Sequence, residues 1–349
     1  IIFTDYARNW GTNGITIDPN GLNYQSRDDT WTIEYSTDGL SLAITYMNAT
    51  QGWVPTIDEA VTDAPSKNNM EGIFGFGTTG SVTAVTNLVS SSGVVASDTT
   101  GVGTARSGPL AACEYGTDTA IFGYGYASGV HSMSNLVSNA GVVSTDVTGV
   151  GTARSGLAAC SYGDDKGIFG FGYNNLSMTN LVSNTGVVAT DTTGVGTGRY
   201  YPSACEYGGD KGIFGFGTTG SVTGVTNLVS NAGVVASDVT AVGTARSGPA
   251  ACGYGEDKGI FGFGNTGSAT AVTNLVSNAG VVASDVTGVG TARDLPAATQ
   301  YGYDKGIFGF GDDGSVTNVS NLVSNAGVVA TDVTGVGTAR AYLAACSFN

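Results

Sequence analysis

From residue 71 onward the chain alternates short apolar runs with Gly, Asn and Asp breaks, always in the same order. The run GIFGFG, clearest at Gly259 to Gly264, recurs with its isoleucine at Ile73, Ile121, Ile168, Ile213, Ile260 and Ile307, at spacings of 48, 47, 45, 47 and 47 residues. Each copy is followed by NLVS (from Asn87, Asn135, Asn180, Asn227, Asn274 and Asn321), then GVV, an Asp, GTAR or GTGR, and a small-residue segment such as LAAC. Four β-favouring runs per unit, parted by turn residues, predict four antiparallel strands. Strand A is the AAC segment (Ala251 to Tyr254), B is GIFGFG, C is VTNLVS and D begins at GVV. No segment reads as a helix. Strict alternation along B places Phe261 and Phe263 on one face and Ile260, Gly262 and Gly264 on the other. Such a sheet stacks on its own copy, the bulky face of one resting on the glycine backbone of the next. The small Ala and Cys of strand A suit the crowded innermost strand of a radial array.

Units of 40 to 50 residues with four strands each indicate a β-propeller. The first unit begins at strand B (Glu71 to Gly77), and an extra A segment, Leu343 to Phe348, follows the last unit. Six B strands find six A strands only if the C-terminus completes the first blade, which removes open sheet edges. The expected fold is all-β: a six-bladed propeller of four-stranded blades over residues 65–349, with strand 343–348 completing blade 1. The first 64 residues differ. They hold all three tryptophans, Trp10, Trp31 and Trp53, and the runs GITIDPNG, TWTIEYSTDG and LSLAITYMNATQGWVPT alternate like strands between PNG and TDG turns. Residues 1–64 are read as a separate small β-rich domain.

The stretch TARSGPAACGYGEDKGIFGFG (Thr244 to Gly264) resembles the kelch-type propeller repeat, and the resemblance extends over about residues 65 to 349. The chain has GFG where kelch repeats usually carry a glycine pair, and it lacks their downstream Trp, which sets it apart from any particular kelch subfamily. The N-terminal segment, with its GW-containing strand, resembles small β-rich modules in virion and tail-fibre proteins of tailed phages, particularly marine ones. The GIFGFG, NLVSN and GVGTAR wording is similar to repeats from the same source. This resemblance implies a virion or extracellular location, other virion proteins as partners, and a homotrimer built through the N-terminal module.

Composition narrows the function. With 56 Gly, 7 Pro and 12% charged residues, the chain favours tight turns and close backbone approach. A net charge of -15 repels phosphate backbones and anionic membrane surfaces, so nucleic acid is not an expected partner. Apolar runs fall far short of the roughly 20 residues of a membrane helix, and no segment resembles a secretion signal. Ile1 in place of a methionine leads us to expect a piece of a longer polypeptide or a processed chain.

Chemistry is sparse. The single histidine, His131, leaves no Ser-His-Asp set and no copper site of the galactose oxidase type. No catalytic residue, cofactor or metal is therefore expected, and the protein is read as a non-enzyme. Cys113, Cys160, Cys205, Cys252 and Cys346 share one strand A position, with Thr299 as the sixth, and are read as small buried thiols. Asp98, Asp146, Asp191, Asp238, Asp285 and Asp332 each precede an arginine by eight residues: Arg106, Arg154, Arg199, Arg246, Arg293 and Arg340. Fixed spacing suggests a structural ion pair or turn cap at the D to A connection; the alternative is six arginines lining a channel mouth for an anionic ligand. The A to B turn acids Asp118, Asp165, Asp210, Asp257 and Asp304 are read as turn formers in preference to calcium ligands.

Departures from the repeat gather in the B to C loops (YASGVHSM, YNNLSM) and the D to A segments (SGPL, YYPS, DLPA, AYLA), which a meander brings to one face. There Tyr126, His131, Tyr173, Asn174, Asn175, Tyr200, Tyr201, Asp294 and Tyr342 are the ligand-binding candidates, because aromatic faces beside amides and carboxylates suit carbohydrate or protein recognition. Drift of surface loops explains the same variation. The expected function is a non-enzymatic phage virion or tail-fibre-like protein whose propeller binds a host surface glycan or protein. Alternatives are a purely structural decoration or scaffold, and a polysaccharide hydrolase. The hydrolase is disfavoured because a catalytic carboxylate pair should break the repeats, and only isolated residues such as Glu114, Glu206 and Asp294 do.

Overall fold

The β-favouring runs become short strands that stop where Gly, Asn or an aromatic residue takes a positive φ. The computed structural model describes all residues except 28–31, 61–69, 109–110, 241 and 349. Trp31, the 64/65 boundary and the Pro109-Leu110 part of the first D to A segment lie outside the described residues. The chain divides into two compact units, Ile1–Ser66 and Lys67–Asn349, and is all-β, with no helix among the described residues.

The first unit has strands β1 (Ile2–Thr4), β2 (Ile15–Ile17), β3 (Ile33–Tyr35), β4 (Leu40–Asn48) and β5 (Gly52–Ala60), in sheets ordered β1-β4-β5 and β2-β3. Alternation along β4 turns Leu40, Leu42 and Ile44 inward, onto Ile17 and Tyr24, with Trp10 and Trp53 packed against them. Strand β1, which pairs with β4, has no counterpart in the sequence reading.

The second unit holds six three-stranded antiparallel sheets. In chain order its strands are β6 (Glu71–Gly75), β7 (Thr86–Val89), β8 (Ala111–Tyr115), β9 (Thr119–Gly123), β10 (Ser134–Val137), β11 (Ala158–Tyr162), β12 (Lys166–Gly172), β13 (Leu176–Val182), β14 (Ser203–Tyr207), β15 (Lys211–Gly215), β16 (Thr226–Val229), β17 (Ala250–Tyr254), β18 (Lys258–Gly262), β19 (Thr273–Val276), β20 (Ala297–Tyr301), β21 (Lys305–Asp312), β22 (Val316–Val323) and β23 (Ala344–Phe348). Sheet 1 is β23-β6-β7, in which Ala344 faces Gly75 and Phe348 faces Glu71. Sheets 2 to 6 take the remaining strands in threes. The small-residue strands lie side by side: β8 against β11, then β14, β17, β20 and β23, and β23 in turn against β8.

Each sheet has three regular strands, a correction to the expected four. The D segment touches strand C only through isolated bridges, such as Val89 to Val95 and Thr86 to Thr99. Its backbone carries an extra residue: Ala96 donates to Leu88 and Thr99 to Thr86, so three steps on one side match two on the other. The buried Asn87 fills this bulge, its Nδ2 donating to Ala96 O at 3.0 Å and to Asp98 Oδ1 at 2.9 Å.

The two phenylalanines of GIFGFG lie on opposite faces, a second correction. Phe261 packs with Ile213 and Phe216 of sheet 4, whereas Phe263 packs with Ile260 and Phe308 of sheet 6. The cause is the left-handed backbone at Phe263 (φ 63°), which ends the two-residue alternation. Stacking on glycine does occur. A Cβ at Gly262 would sit 2.8 Å from Phe308 Cζ, and Phe122, Phe169, Phe214, Phe261 and Phe74 rest likewise on Gly75, Gly123, Gly170, Gly215 and Gly309. Each ring also meets the second aromatic of its neighbour edge-on, as Phe308 meets Phe263 at 5.1 Å. The five cysteines are buried thiols outside any disulfide, and four use a similar socket: a Cβ at Gly167 would lie 2.5 Å from Cys113 Sγ, and Gly212, Gly259 and Gly306 face Cys160, Cys205 and Cys252.

The arginines clamp neighbouring sheets. Arg106 stacks over Phe76 of sheet 1 at 4.3 Å and donates to sheet 2, from Nε to Tyr124 O at 2.7 Å and from Nη2 to Asn135 Oδ1 at 2.6 Å. Its acidic neighbour is Asp146 at 3.9 Å; Asp98, eight residues earlier, faces Arg340 instead. The sequence reading of pairs within a unit is thus corrected: eight residues carry the chain away from its own Asp and on to the next sheet. Arg154 and Arg340 repeat the full arrangement. Arg246 and Arg293 keep the stack, at 4.0 Å, and the Nη1 bond, but their Nε and Nη2 have no hydrogen-bond partner. All six arginines are at most 2% exposed, so none lines a mouth for an anionic ligand. Burial pushes Arg106, Arg199, Arg246, Arg293 and Arg340 down to about 10, which leaves them charged at neutral pH.

Each of the six aspartates accepts from the Thr of a GT pair in another unit, as Asp146 does from Thr104 N at 3.1 Å and Oγ1 at 2.6 Å, and Asp98 from Thr338 N at 3.0 Å. Burial works against ionisation here, but the Thr and Asn hydrogen bonds and the arginine outweigh it, holding all six carboxyls below their usual range. A folded value below the unfolded one, about 3.9, means that this contribution is complete above pH 4 and is lost as pH falls through the folded value. The melting temperature should therefore hold between pH 5 and 7 and drop steeply below about pH 4, as thermal unfolding followed by circular dichroism would record.

Candidate recognition face

The D to A segments build the variable face. The residue after five of the six arginines bridges to the end of a strand B run, Ser107 to Tyr126, Tyr200 to Thr218, Ser247 to Asn265, Asp294 to Asp312 and Ala341 to Thr78, and Ser155 O accepts from Tyr173 N at 2.8 Å. The next residue adopts left-handed φ at every sheet: Gly108 (79°), Gly156 (69°), Tyr201 (56°), Gly248 (58°), Leu295 (52°) and Tyr342 (55°). Three sheets fill this slot with the residue that tolerates it and three with a bulky side chain that does not. Five slots are joined by backbone hydrogen bonds, Gly156 N to Gly108 O, Tyr201 N to Gly156 O, Gly248 N to Tyr201 O and Leu295 N to Gly248 O, at 2.8–3.1 Å.

Tyr201, Leu295 and Tyr342 border a cavity of about 80 Å³ walled by the small residues of the six first strands, including Ala112, Ala159 and Ala251. That is well below the roughly 300 Å³ of a small-molecule pocket. Whatever this face binds must therefore sit largely on top of it.

Four predicted residues come together in a run of edge-on rings: Tyr173 to Tyr200 at 5.0 Å, Tyr200 to Tyr201 at 5.1 Å and Tyr201 to Tyr342 at 6.2 Å. Burial, then the neighbouring tyrosines and Asp294, push the Tyr201 hydroxyl up to about 12, so it keeps its proton at neutral pH. Asp294 belongs to the same group. Burial raises its pKa against the hydrogen bonds from Asn265 and the Leu295 backbone; Oδ2 accepts from Asn265 Nδ2 at 3.1 Å, and Oδ1 is buried.

The other candidates stand apart. Tyr126 is half exposed and packs over Gly108. His131 occupies a position that is Thr83 or Thr223 in other units and uses its backbone, N–H to Gly125 O and C=O from Arg154 N, while Nε2 is buried without a partner. Asn174 and Asn175 form the tight β12–β13 turn at φ 70° and 56°, values that Asn tolerates better than most residues, and Asn175 Nδ2 reaches Thr219 O at 3.5 Å. Leu295, Asn265 and Asp312 were missed. Aligning the two residues after each arginine (SG, SG, YY, SG, DL, AY) is the signal that finds Leu295.

At the opposite ends of the sheets sameness has a packing cause. A Cβ on the C to D glycines Gly186, Gly233, Gly280 and Gly327 would lie 2.8 Å from Tyr115, Tyr162, Tyr207 and Tyr254 of another sheet, so these turns are sockets. The A to B acids are engaged: Asp165, Asp210, Asp257 and Asp304 by the following lysines at 2.5–3.0 Å, and Asp210, Asp257 and Asp304 also by Asn231, Asn278 and Asn325. Glu206 accepts from Ser161 at 2.8 Å, and Glu114 from Ser347.

No family model and no curated protein sequence matches the chain.

Proposed function

We propose that residues 67–349 form a closed six-bladed, kelch-like propeller whose tyrosine-lined mouth binds a host surface glycan or protein, without catalysis, as part of a virion or extracellular appendage of tail-fibre type. Closure is supported by the neighbour sequence from β8 round to β23 and back, and by the pairing of β23 with β6. The observation that carries recognition is the Tyr173, Tyr200, Tyr201 and Tyr342 run; where Tyr200 and Tyr201 stand, three other units hold Ser-Gly. Residues kept only for packing would repeat; Tyr200, Tyr201 and Tyr342 depart from the Ser-Gly of those three units. The N-terminal unit supplies assembly with other virion proteins or a homotrimer, consistent with exposed Ile2, Met47 and Ile57.

The test is binding of the labelled full chain to intact cells beside Tyr200→Ala/Tyr201→Ala. At least tenfold weaker binding in the variant is expected. A structural decoration is the second reading, favoured by how many repeated residues (Phe, Gly, Arg, Asn, Asp) serve contacts between sheets; unchanged behaviour of the variant would support it.

A further inference from the structure

We infer that the mouth takes a neutral pyranose sugar, with Tyr201 and Tyr342 as its stacking platform and Asp294 as the acceptor for its hydroxyls; this rests on the recognition reading above. The first argument is charge. The arginine nearest each slot is buried and committed between sheets, and Lys166, Lys211, Lys258 and Lys305 sit in the A to B turns at the other end, paired to aspartates. The mouth instead carries Asp294, Asp312 and Asp313. A sialic or uronic acid would meet these carboxylates, while Arg293, which feels the charge of Asp313, is itself buried between sheets.

The second argument is the character of the carboxylate. Asp294 turns Oδ1 inward toward Gly248 and holds Oδ2 with Asn265 Nδ2, and Oδ2 has a further lone pair for a hydroxyl. A carboxyl group keeps an acceptor oxygen for a hydroxyl in either protonation state. Protonated tyrosine hydroxyls beside it can donate to ring or exocyclic oxygens.

The third argument is conformational. Gly108, Gly156 and Gly248 show that the slot needs no side chain, whereas Tyr201 and Tyr342 hold a ring there at left-handed φ, Tyr201 beside Gly156. Flat apolar faces ringed by a few polar groups match a pyranose, which presents C–H on its faces and hydroxyls at its rim.

The full chain is screened against immobilised neutral oligosaccharides of glucose, galactose, mannose and N-acetylglucosamine, against sialylated and uronic-acid oligosaccharides, and against a lysine-rich peptide. Binding to a neutral sugar is expected, at least tenfold weaker in Tyr342→Gly and in Asp294→Ala. Tyr342→Gly should still fold, because glycine fills that slot elsewhere; its melting temperature, measured in parallel, checks this. Binding confined to acidic sugars or to the peptide, or neutral-sugar binding that both variants retain, overturns the assignment. A chain that binds cells through Tyr200 and Tyr201 but ignores every neutral sugar overturns the sugar class alone. One that binds no cell surface overturns the recognition reading and this inference with it.

Discussion

Phe308→Ala lowers the stability of the repeat unit by about 3–5 kcal/mol, the cost of emptying a fully buried aromatic site. Phe308 is 0% exposed, its tip lies over Gly262 and its edge meets Phe263. The surface beneath its tip is strand backbone at Gly262, which cannot move into the space. The glycine side of the socket gives the complementary result. Gly262→Ala places a methyl 2.8 Å from Phe308 Cζ and 3.1 Å from Thr273 Cγ2, which costs about 1–3 kcal/mol by overpacking. In the double variant the methyl enters the space that the ring has left, so the two losses sum to more than the double variant shows. Urea unfolding of the four proteins measures this coupling; strict additivity would mean that ring and glycine do not form one contact.

Arg340→Met is expected to cost about 3–5 kcal/mol, because it strips a buried polar cluster of its centre. Asn87 Oδ1 and Phe76 O lose their donor, and Asp98 loses the nearby positive charge. Arg340→Lys should not rescue, since one ammonium cannot stack on Phe310 and reach three acceptors in the plane of a guanidinium. Arg246→Met should cost less: its Nε and Nη2 make no hydrogen bonds, so fewer partners are orphaned. Equal losses at Arg340 and Arg246 in urea unfolding would show that the stack on the phenylalanine, common to both, carries the whole effect.

The sequence reads well where a residue's partner is another copy of the same unit. The 47-residue period, the use of Gly262 beneath a phenylalanine and the C-terminal segment that joins sheet 1 all follow from comparing the chain with itself. It reads poorly where a backbone torsion decides. Phe261 and Phe263 are the same residue type, and only the left-handed φ at Phe263 sends them to opposite faces. The partner of Asp98 is 242 residues away in Arg340, closer in space than the arginine eight positions on, and spacing alone cannot reveal that. Strand D looked regular because Val94 and Val95 favour β structure, yet the bulge beside Asn87 leaves only isolated bridges. On the recognition face, unrepeated tyrosines were legible as departures, whereas Leu295 was passed over because an aliphatic residue carries no chemical signal of its own.

The measurement that tests the division between repeated scaffold and unrepeated recognition residues most directly uses one variant in which all three deviant slots become Ser-Gly: Tyr200→Ser/Tyr201→Gly, Asp294→Ser/Leu295→Gly and Ala341→Ser/Tyr342→Gly. Its melting temperature and its binding to intact cells are recorded side by side with the parent chain. Unfolding within a few degrees of the parent, together with loss of cell binding, is the predicted result. Cell binding undiminished in a variant that folds as well as the parent would contradict it.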